Sequence, residues 1–103
     1  MRILERQIKH VFPDKRAERE AMIKENPFAA IESKYGFPPP RSFILISGPD
    51  EMGTEVLERE WPSMAAYETA IEKVNADPAY QALGKKYREI IRDTRIEYYF
   101  IMS

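Results

Sequence analysis

The sequence predicts a single α+β domain, in which four antiparallel strands form a sheet whose one face is covered by helices. Two observations carry this prediction. Strand-like segments lie near both ends of the chain, and in residues 54–77 a two-residue period gives way to a helical period. The predicted order is strand, helix, strand, strand, helix pair, strand, which is the ferredoxin-like βαββαβ arrangement of an α+β protein.

The first strand is predicted at residues 2–11, and a helix follows with Asp14 as its cap. The Asn26-Pro27 pair interrupts that helix and starts a short continuation, which ends near Gly36. Alternation along the first strand places on one face Leu4, Arg6, Ile8 and His10, and on the other Ile3, Glu5, Gln7, Lys9 and Val11. Both faces are therefore mixed in polarity.

The most apolar run, residues 41–47, is predicted as a well-buried second strand. A turn cluster at residues 48–53 joins it in a hairpin to a third strand, which ends at Trp61. Ser63 is predicted to cap the next helix. The apolar stripe of that helix consists of Met64, Tyr67, Ile71 and Val74.

A second cap signal, Asp77-Pro78, is predicted to start the last helix. Residues 93–102 are predicted to form the last strand. The inward stripe of this helix consists of Tyr80, Leu83, Tyr87 and Ile90. All these elements are expected to form one domain spanning residues 1–103.

Composition narrows the classes of function. Sixteen basic and seventeen acidic residues are interspersed without long runs, so we expect no nucleic-acid partner. The chain has no cysteine, which is compatible with a reducing cytoplasm, where we expect the protein to be. It also has no apolar run long enough for a membrane span, so no membrane association is expected. With a single histidine and no calcium-type spacing of carboxylates, no metal site and no cofactor are predicted.

The chain resembles the dimeric α/β-barrel superfamily. The resemblance rests on the strand end LEREWPS at residues 57–63, on Tyr67 and Glu68, and on the helix start at residues 77–80. The opening strand ILERQ, residues 3–7, is most similar to the NIPSNAP group, and small antibiotic-biosynthesis-monooxygenase domains share the layout. The resemblance implies two sheets packed face to face in a homodimer. It implies no single chemistry, because the activities within the superfamily range from cofactor-free oxygenation, haem breakdown and lactone isomerisation to no known activity.

Five residues are candidates for a site between helices and sheet. His10 is the candidate catalytic base, because its ordinary pKa is near neutral, although a lone histidine at a strand end is more often structural. The candidate ligand-binding residues are Arg6, Trp61, Tyr67 and Tyr98. Arg6 has an alternative in a structural pair with Glu58, and the aromatic residues have an alternative in ordinary core packing.

Two functions follow from these candidates. In the first, the domain is a module that binds a small apolar or aromatic molecule between the helices and the sheet. In the alternative, it is a cofactor-independent monooxygenase- or isomerase-type enzyme that uses His10 or a cleft tyrosine for proton transfer. The missing acid–base pair favours the first function.

A homodimer is predicted through the sheet face that the helices leave open, because the strands lack clean apolar–polar alternation. The residues assigned to this open face are Ile3, Val11, Tyr99 and Ile101, with Glu5, Gln7, Arg95 and Glu97 at its polar rim. One apolar pair of the second strand, either Phe43 and Leu45 or Ile44 and Ile46, is also assigned to it.

Overall fold

A computed structural model describes residues 1–102 as four strands and four helices around one sheet. The strands are β1 (Ile3–Val11), β2 (Arg41–Ile44), β3 (Glu55–Trp61) and β4 (Ile91–Phe100). The helices are α1 (Arg16–Glu25), α2 (Pro27–Lys34), α3 (Met64–Asn75) and α4 (Pro78–Ile90). The strands pair antiparallel in the order β2-β3-β1-β4, so the predicted ferredoxin-like α+β fold is confirmed.

Local residue chemistry explains where three helices begin. Ser63 Oγ accepts a hydrogen bond from the backbone N–H of Ala66 at 3.1 Å, and Asp77 Oδ1 accepts one from Ala79 at 2.9 Å. Asn26 has a φ of 47°, a left-handed conformation that asparagine tolerates, and it separates α1 from α2 just before Pro27. The capping bonds predicted for Ser63 and Asp77 are confirmed, and so is the helix start at Asn26-Pro27, although the Asn26 side chain makes no capping bond.

Three local predictions are wrong. Asp14 caps no helix, because residues 13–15 form a short 3-10 turn and α1 begins at Arg16 without a side-chain cap. The second strand is four residues long and exposed, with Phe43 49% and Ile44 62% accessible. It lies at the sheet edge, where it pairs with β3 alone. The last strand begins at Ile91, directly after α4, and not at residue 93.

The strand register decides which side chains lie beneath the helices. Ile3 pairs with Trp61 on β3, and Val11 pairs with Ile91 on β4, and all four are buried. Because side chains alternate between faces, the covered face of β1 consists of Ile3, Glu5, Gln7, Lys9 and Val11. The assignment of Ile3, Glu5, Gln7 and Val11 to the open face is therefore wrong. The open face holds Leu4, Arg6, Ile8 and His10, with Phe43 of β2 and Arg95, Glu97 and Tyr99 of β4.

The apolar core is divided into two clusters at opposite ends of the covered face. One contains Ile3, Trp61 and Ala70, with Phe37, Met64 and Tyr67 packed against them. The other contains Val11, Met22, Ile90 and Ile91, with Phe28 and Tyr87 packed against them. None of the four helices described combines the length and apolar character that a membrane span needs. Polar side chains occupy the covered face between the two clusters.

Candidate functional site

A cavity of about 770 Å³ lies between the sheet and the helices, in the space between the two apolar clusters. Its floor comes from β1 and β3, and its walls come from α1, α2, α4 and β4. The connector that contains Pro38, Pro39 and Pro40 contributes to the rim. A volume of this size lies within the range of about 300–1,000 Å³ that is typical of sites for small molecules.

Aromatic rings form much of the cavity wall. The ring of Phe28 on α2 meets the rings of Tyr80 and Tyr87 on α4 edge to face, with centroids 5.7 and 5.8 Å apart. Phe37 from the connector lies beside these residues in the lining and packs against Trp61. Edge-to-face packing keeps the rings in fixed orientations, so the wall is preformed for an apolar or aromatic body.

Two ion pairs connect the cavity floor to the helices. Arg19 on α1 binds Glu55 on β3 through Nε and Nη2, with donor–acceptor distances of 2.9 and 2.7 Å to Oε1. Arg59 on β3 donates from Nη2 to Glu32 Oε1 on α2 at 2.8 Å and from Nε to the carbonyl of Pro38 at 3.2 Å. Charge-assisted bonds of this length satisfy both guanidinium groups within the protein.

Lys9 on β1 is the third buried cation of the cavity, with only 7% of its surface exposed. Its Nζ lies 5.5 Å from the centroid of the Tyr87 ring. Within residues 1–102, no carboxylate oxygen comes within the 4.0 Å of its Nζ that an ion pair requires. Burial, helped by the nearby charge of Arg19, lowers the pKa of Lys9 from its ordinary value of 10.5 to about 8.

Burial also changes the acidity of the neighbouring groups. It raises the pKa of Tyr80 to about 12, and the Glu32 carboxylate acts in the same direction. The pKa of Glu32 is itself raised by burial, although the positive charge of Arg59 opposes that change. The Tyr80 hydroxyl donates to Glu32 Oε2 at 3.4 Å. Tyr80 therefore stays protonated near neutral pH and acts as a hydrogen-bond donor.

The predicted aromatic residues form a row beside the cavity and not within its lining. The rings of Trp61, Tyr67 and Tyr98 follow one another with centroid distances of 5.4 and 5.1 Å. Trp61 is buried and donates from Nε1 to the buried Glu5 carboxylate at 2.9 Å. The hydroxyls of Tyr67 and Tyr98 are in hydrogen-bond contact, and burial together with this contact raises the pKa of Tyr67.

The other two predicted residues lie on the opposite face of the sheet. Arg6 lies 3.6 Å from Glu58, which is the structural pair weighed as its alternative, and 4.0 Å from Glu97. His10 contacts Asp93 through Nδ1 at 2.5 Å and Asp50 through Nε2 at 3.3 Å. The five predicted residues thus do not converge on one cleft, because Arg6 and His10 point away from the helices. The catalytic and ligand-binding roles assigned to the five stay predictions.

Sequence reasoning missed the residues that line the cavity, above all Lys9, Arg19, Glu32 and Arg59. One signal was present. Lys9 shares a strand face with Ile3, and Arg59 shares one with Trp61, and both of those apolar residues are buried. Charged residues on the buried face of a strand need buried partners and therefore mark a candidate site. Among residues 1–102, no cluster of histidine and carboxylate side chains is arranged to hold a metal ion.

Comparison with known proteins shows likeness at the level of structure. The sequence matches no family model and no curated protein. A NIPSNAP family protein from Agrobacterium tumefaciens superimposes with a TM-score of 0.83 and 17% identity, covering 99% of this chain and 94% of that one. A NIPSNAP-like domain protein from Burkholderia xenovorans gives a TM-score of 0.80 and 18% identity, covering 99% of this chain and 86% of that one.

SnoaB, a cofactor-independent oxygenase from Streptomyces nogalater, is also similar, with a TM-score of 0.63 and 16% identity. The alignment covers 99% of this chain and 94% of SnoaB. The predicted resemblance to NIPSNAP proteins and to small oxygenases is therefore confirmed for the fold. Since one fold hosts many activities, the function has to be argued from the cavity itself.

Proposed function

We propose that this protein binds a small, mainly apolar or aromatic molecule in the cavity between its helices and its sheet. The observation that carries the proposal is the cavity's composition, in which aromatic walls surround a few fixed polar groups. Small-molecule sites usually have this composition, because apolar surface supplies affinity and a few polar groups set orientation.

The cavity floor supports a ligand more than it supports closer packing of the core. Arg19 extends from α1 to Glu55 on β3, whereas Arg59 extends from β3 to Glu32 on α2. The two ion pairs therefore hold α1 and α2 at fixed distances from the sheet. Breaking either pair would leave a buried charge without its partner, at a cost of about 3–5 kcal/mol for each pair, so the pairs keep their present length. The space is thus maintained by the structure and is available to a ligand.

The test is a screen of small aromatic and aliphatic compounds for those that raise the melting temperature. A ligand at a hundred times its dissociation constant adds about 2.7 kcal/mol of stability, which for a domain of this size raises Tm by roughly 10 °C or more. Ala29 lines the cavity, whereas its neighbour Ala30 does not, so Ala29→Trp and Ala30→Trp form a matched pair. Ala29→Trp should abolish the shift and Ala30→Trp should keep it. If no compound stabilises the wild type, or if both variants respond alike, the cavity is not the binding site.

A second candidate function is cofactor-independent oxygenation or isomerisation of the bound molecule. It is favoured by the fold shared with SnoaB and by Lys9, whose pKa of about 8 suits proton abstraction near neutral pH. Compounds found in the thermal screen would be incubated with the protein in air, and oxygen consumption and products would be followed. Product formed by the wild type but not by Lys9→Met would support catalysis. If the compounds are recovered unchanged, catalysis is refuted and only the binding function remains.

We further propose that two copies pack through the open sheet face. Phe43 and Tyr99 are 49% and 45% exposed there, beside the half-buried Leu4 and Val56. Charges alternate across all four strands of this face in the row Arg41, Glu58, Arg6, Glu97 and Arg95. An alternating row is complementary to a second copy displaced by one position, and the exposed rings supply apolar area.

Sedimentation at low micromolar concentration tests this assembly. The wild type should sediment as a dimer. Phe43→Glu should give monomers of lower stability, whereas Ala82→Glu, on the exposed surface of α4, should leave the mass unchanged. A monomeric wild type would remove the dimer from the proposal.

A cytoplasmic location for this assembly is still expected from the lack of cysteine.

A further inference from the structure

The cavity's buried cations differ in how they are neutralised. Arg19 is bound to Glu55 and Arg59 to Glu32, each through a hydrogen bond of 2.7 to 2.8 Å. Lys9 is as deeply buried as these arginines, but within residues 1–102 no carboxylate is close enough to pair with its ammonium group. Lys9 is only 7% exposed, so its ammonium group has lost part of its hydration without gaining a carboxylate in direct contact, which is unusual in a folded protein.

The surroundings of Lys9 combine an aromatic ring, the cavity and charged side chains. The Tyr87 ring on α4 lies 5.5 Å from Nζ, and Lys9 and Tyr87 both line the cavity. The charged groups that act on Lys9 from the packed elements are Arg19 on α1, Glu32 on α2, and Glu55 and Arg59 on β3. Both of those carboxylates are held by the two arginines, so an anion in the cavity would be the group that contacts Lys9 directly.

The three buried cations of the cavity differ in their direct partners, although three carboxylates lie among them. Glu55 binds Arg19, and Glu32 binds Arg59, which also lies 4.0 Å from Glu5. Within residues 1–102, Lys9 is left as the buried cation of this group without a carboxylate in direct contact. One carboxylate in the cavity would supply that contact.

Resting on the proposed binding function, we infer that the ligand is an aromatic or apolar carboxylic acid whose carboxylate pairs with Lys9 Nζ inside the cavity. The rings of Phe28, Phe37 and Tyr80 then enclose its apolar body.

The test compares naphthoate with naphthamide, which have nearly the same shape and differ in charge. Calorimetric titration at pH 7 should show naphthoate binding the wild type at least tenfold more tightly than naphthamide. Lys9→Met should remove this preference and leave naphthamide affinity within about threefold. Arg88→Met, which removes an exposed cation from the same lining, should keep the preference.

The dependence on pH gives a second readout that a purely structural role would not produce. Since the free Lys9 titrates near pH 8, naphthoate affinity should be constant below pH 8 and fall about tenfold per pH unit above it. Lys9→Arg keeps its charge and should remove this fall. Circular dichroism would establish that each variant is folded.

The outcomes separate the two proposals. If naphthamide binds as tightly as naphthoate, or if Lys9→Met retains the preference for the acid, the carboxylate inference fails and the binding function stands. If neither these compounds nor any compound of the thermal screen binds the cavity, both proposals fail together.

Discussion

Replacing Lys9 by methionine should make the protein more stable at neutral pH, although it alters a buried residue. Burial lowers the pKa of Lys9 to about 8 from an ordinary value of 10.5. Each pKa unit corresponds to 1.36 kcal/mol, so the charged form costs the folded state about 3 kcal/mol at pH 7. The lost contact between Lys9 and the Tyr87 ring offsets about 1 kcal/mol. Because methionine fills a similar volume without charge, a net gain of about 2 kcal/mol is expected.

The sign of the pH dependence follows from proton counts. Between about pH 8 and 10.5 the unfolded chain holds the Lys9 proton and the folded chain does not, so the wild type gains stability as pH rises. The advantage of Lys9→Met should therefore be constant below pH 8 and shrink by about 1.4 kcal/mol per pH unit above it.

Urea unfolding at pH 7, 8 and 9 measures this difference, and Lys85→Met, at an exposed position of α4, is the control. The control should change stability by less than about 0.5 kcal/mol at every pH. A Lys9→Met protein less stable than the wild type at pH 7, or a difference that does not vary with pH, would refute a buried ammonium without a partner.

Three further changes test the structure around the cavity. Glu32→Ala leaves the buried Arg59 without its main partner, so the free energy of unfolding should fall by about 3 kcal/mol; a loss below about 1 kcal/mol would show that the pair is solvated. Gly84→Ala should add about 0.5–1 kcal/mol in thermal unfolding, because a Cβ there meets only the end of a flexible side chain; a destabilised variant would contradict this packing. Trp61→Phe removes the donor to Glu5 and part of the core volume, so it should lower the free energy of unfolding by about 2–4 kcal/mol. A urea midpoint equal to that of the wild type would contradict this expectation.

The order of the elements was determined by the sequence alone. Ser63 and the Asp77-Pro78 pair specify helix starts through bonds to backbone N–H groups two or three residues away, and Asn26 and Pro27 act over a similar distance. Interactions of such short range can be read from neighbouring residues. The alternation in β1 likewise showed which of its side chains share a face.

Only the tertiary structure decided which of the two faces the helices cover. Both faces of β1 mix apolar and charged residues, so the alternation is compatible with either orientation of the strand. The prediction placed Ile3 and Val11 on the open face, whereas the helices cover them. The exposure of β2 also depends on its place at the sheet edge, which strand pairing determines.

The candidate site depends even more on contacts between distant parts of the chain. Arg19 and Glu55 are 36 residues apart, and Arg59 and Glu32 are 27 apart, yet each pair meets beneath the helices. Lys9 is distinguished by a missing partner, which becomes apparent only when every neighbouring side chain is in place. Alternation specifies the face of a charged side chain, but its counter-ion and its loss of hydration are set by the packing of separate elements.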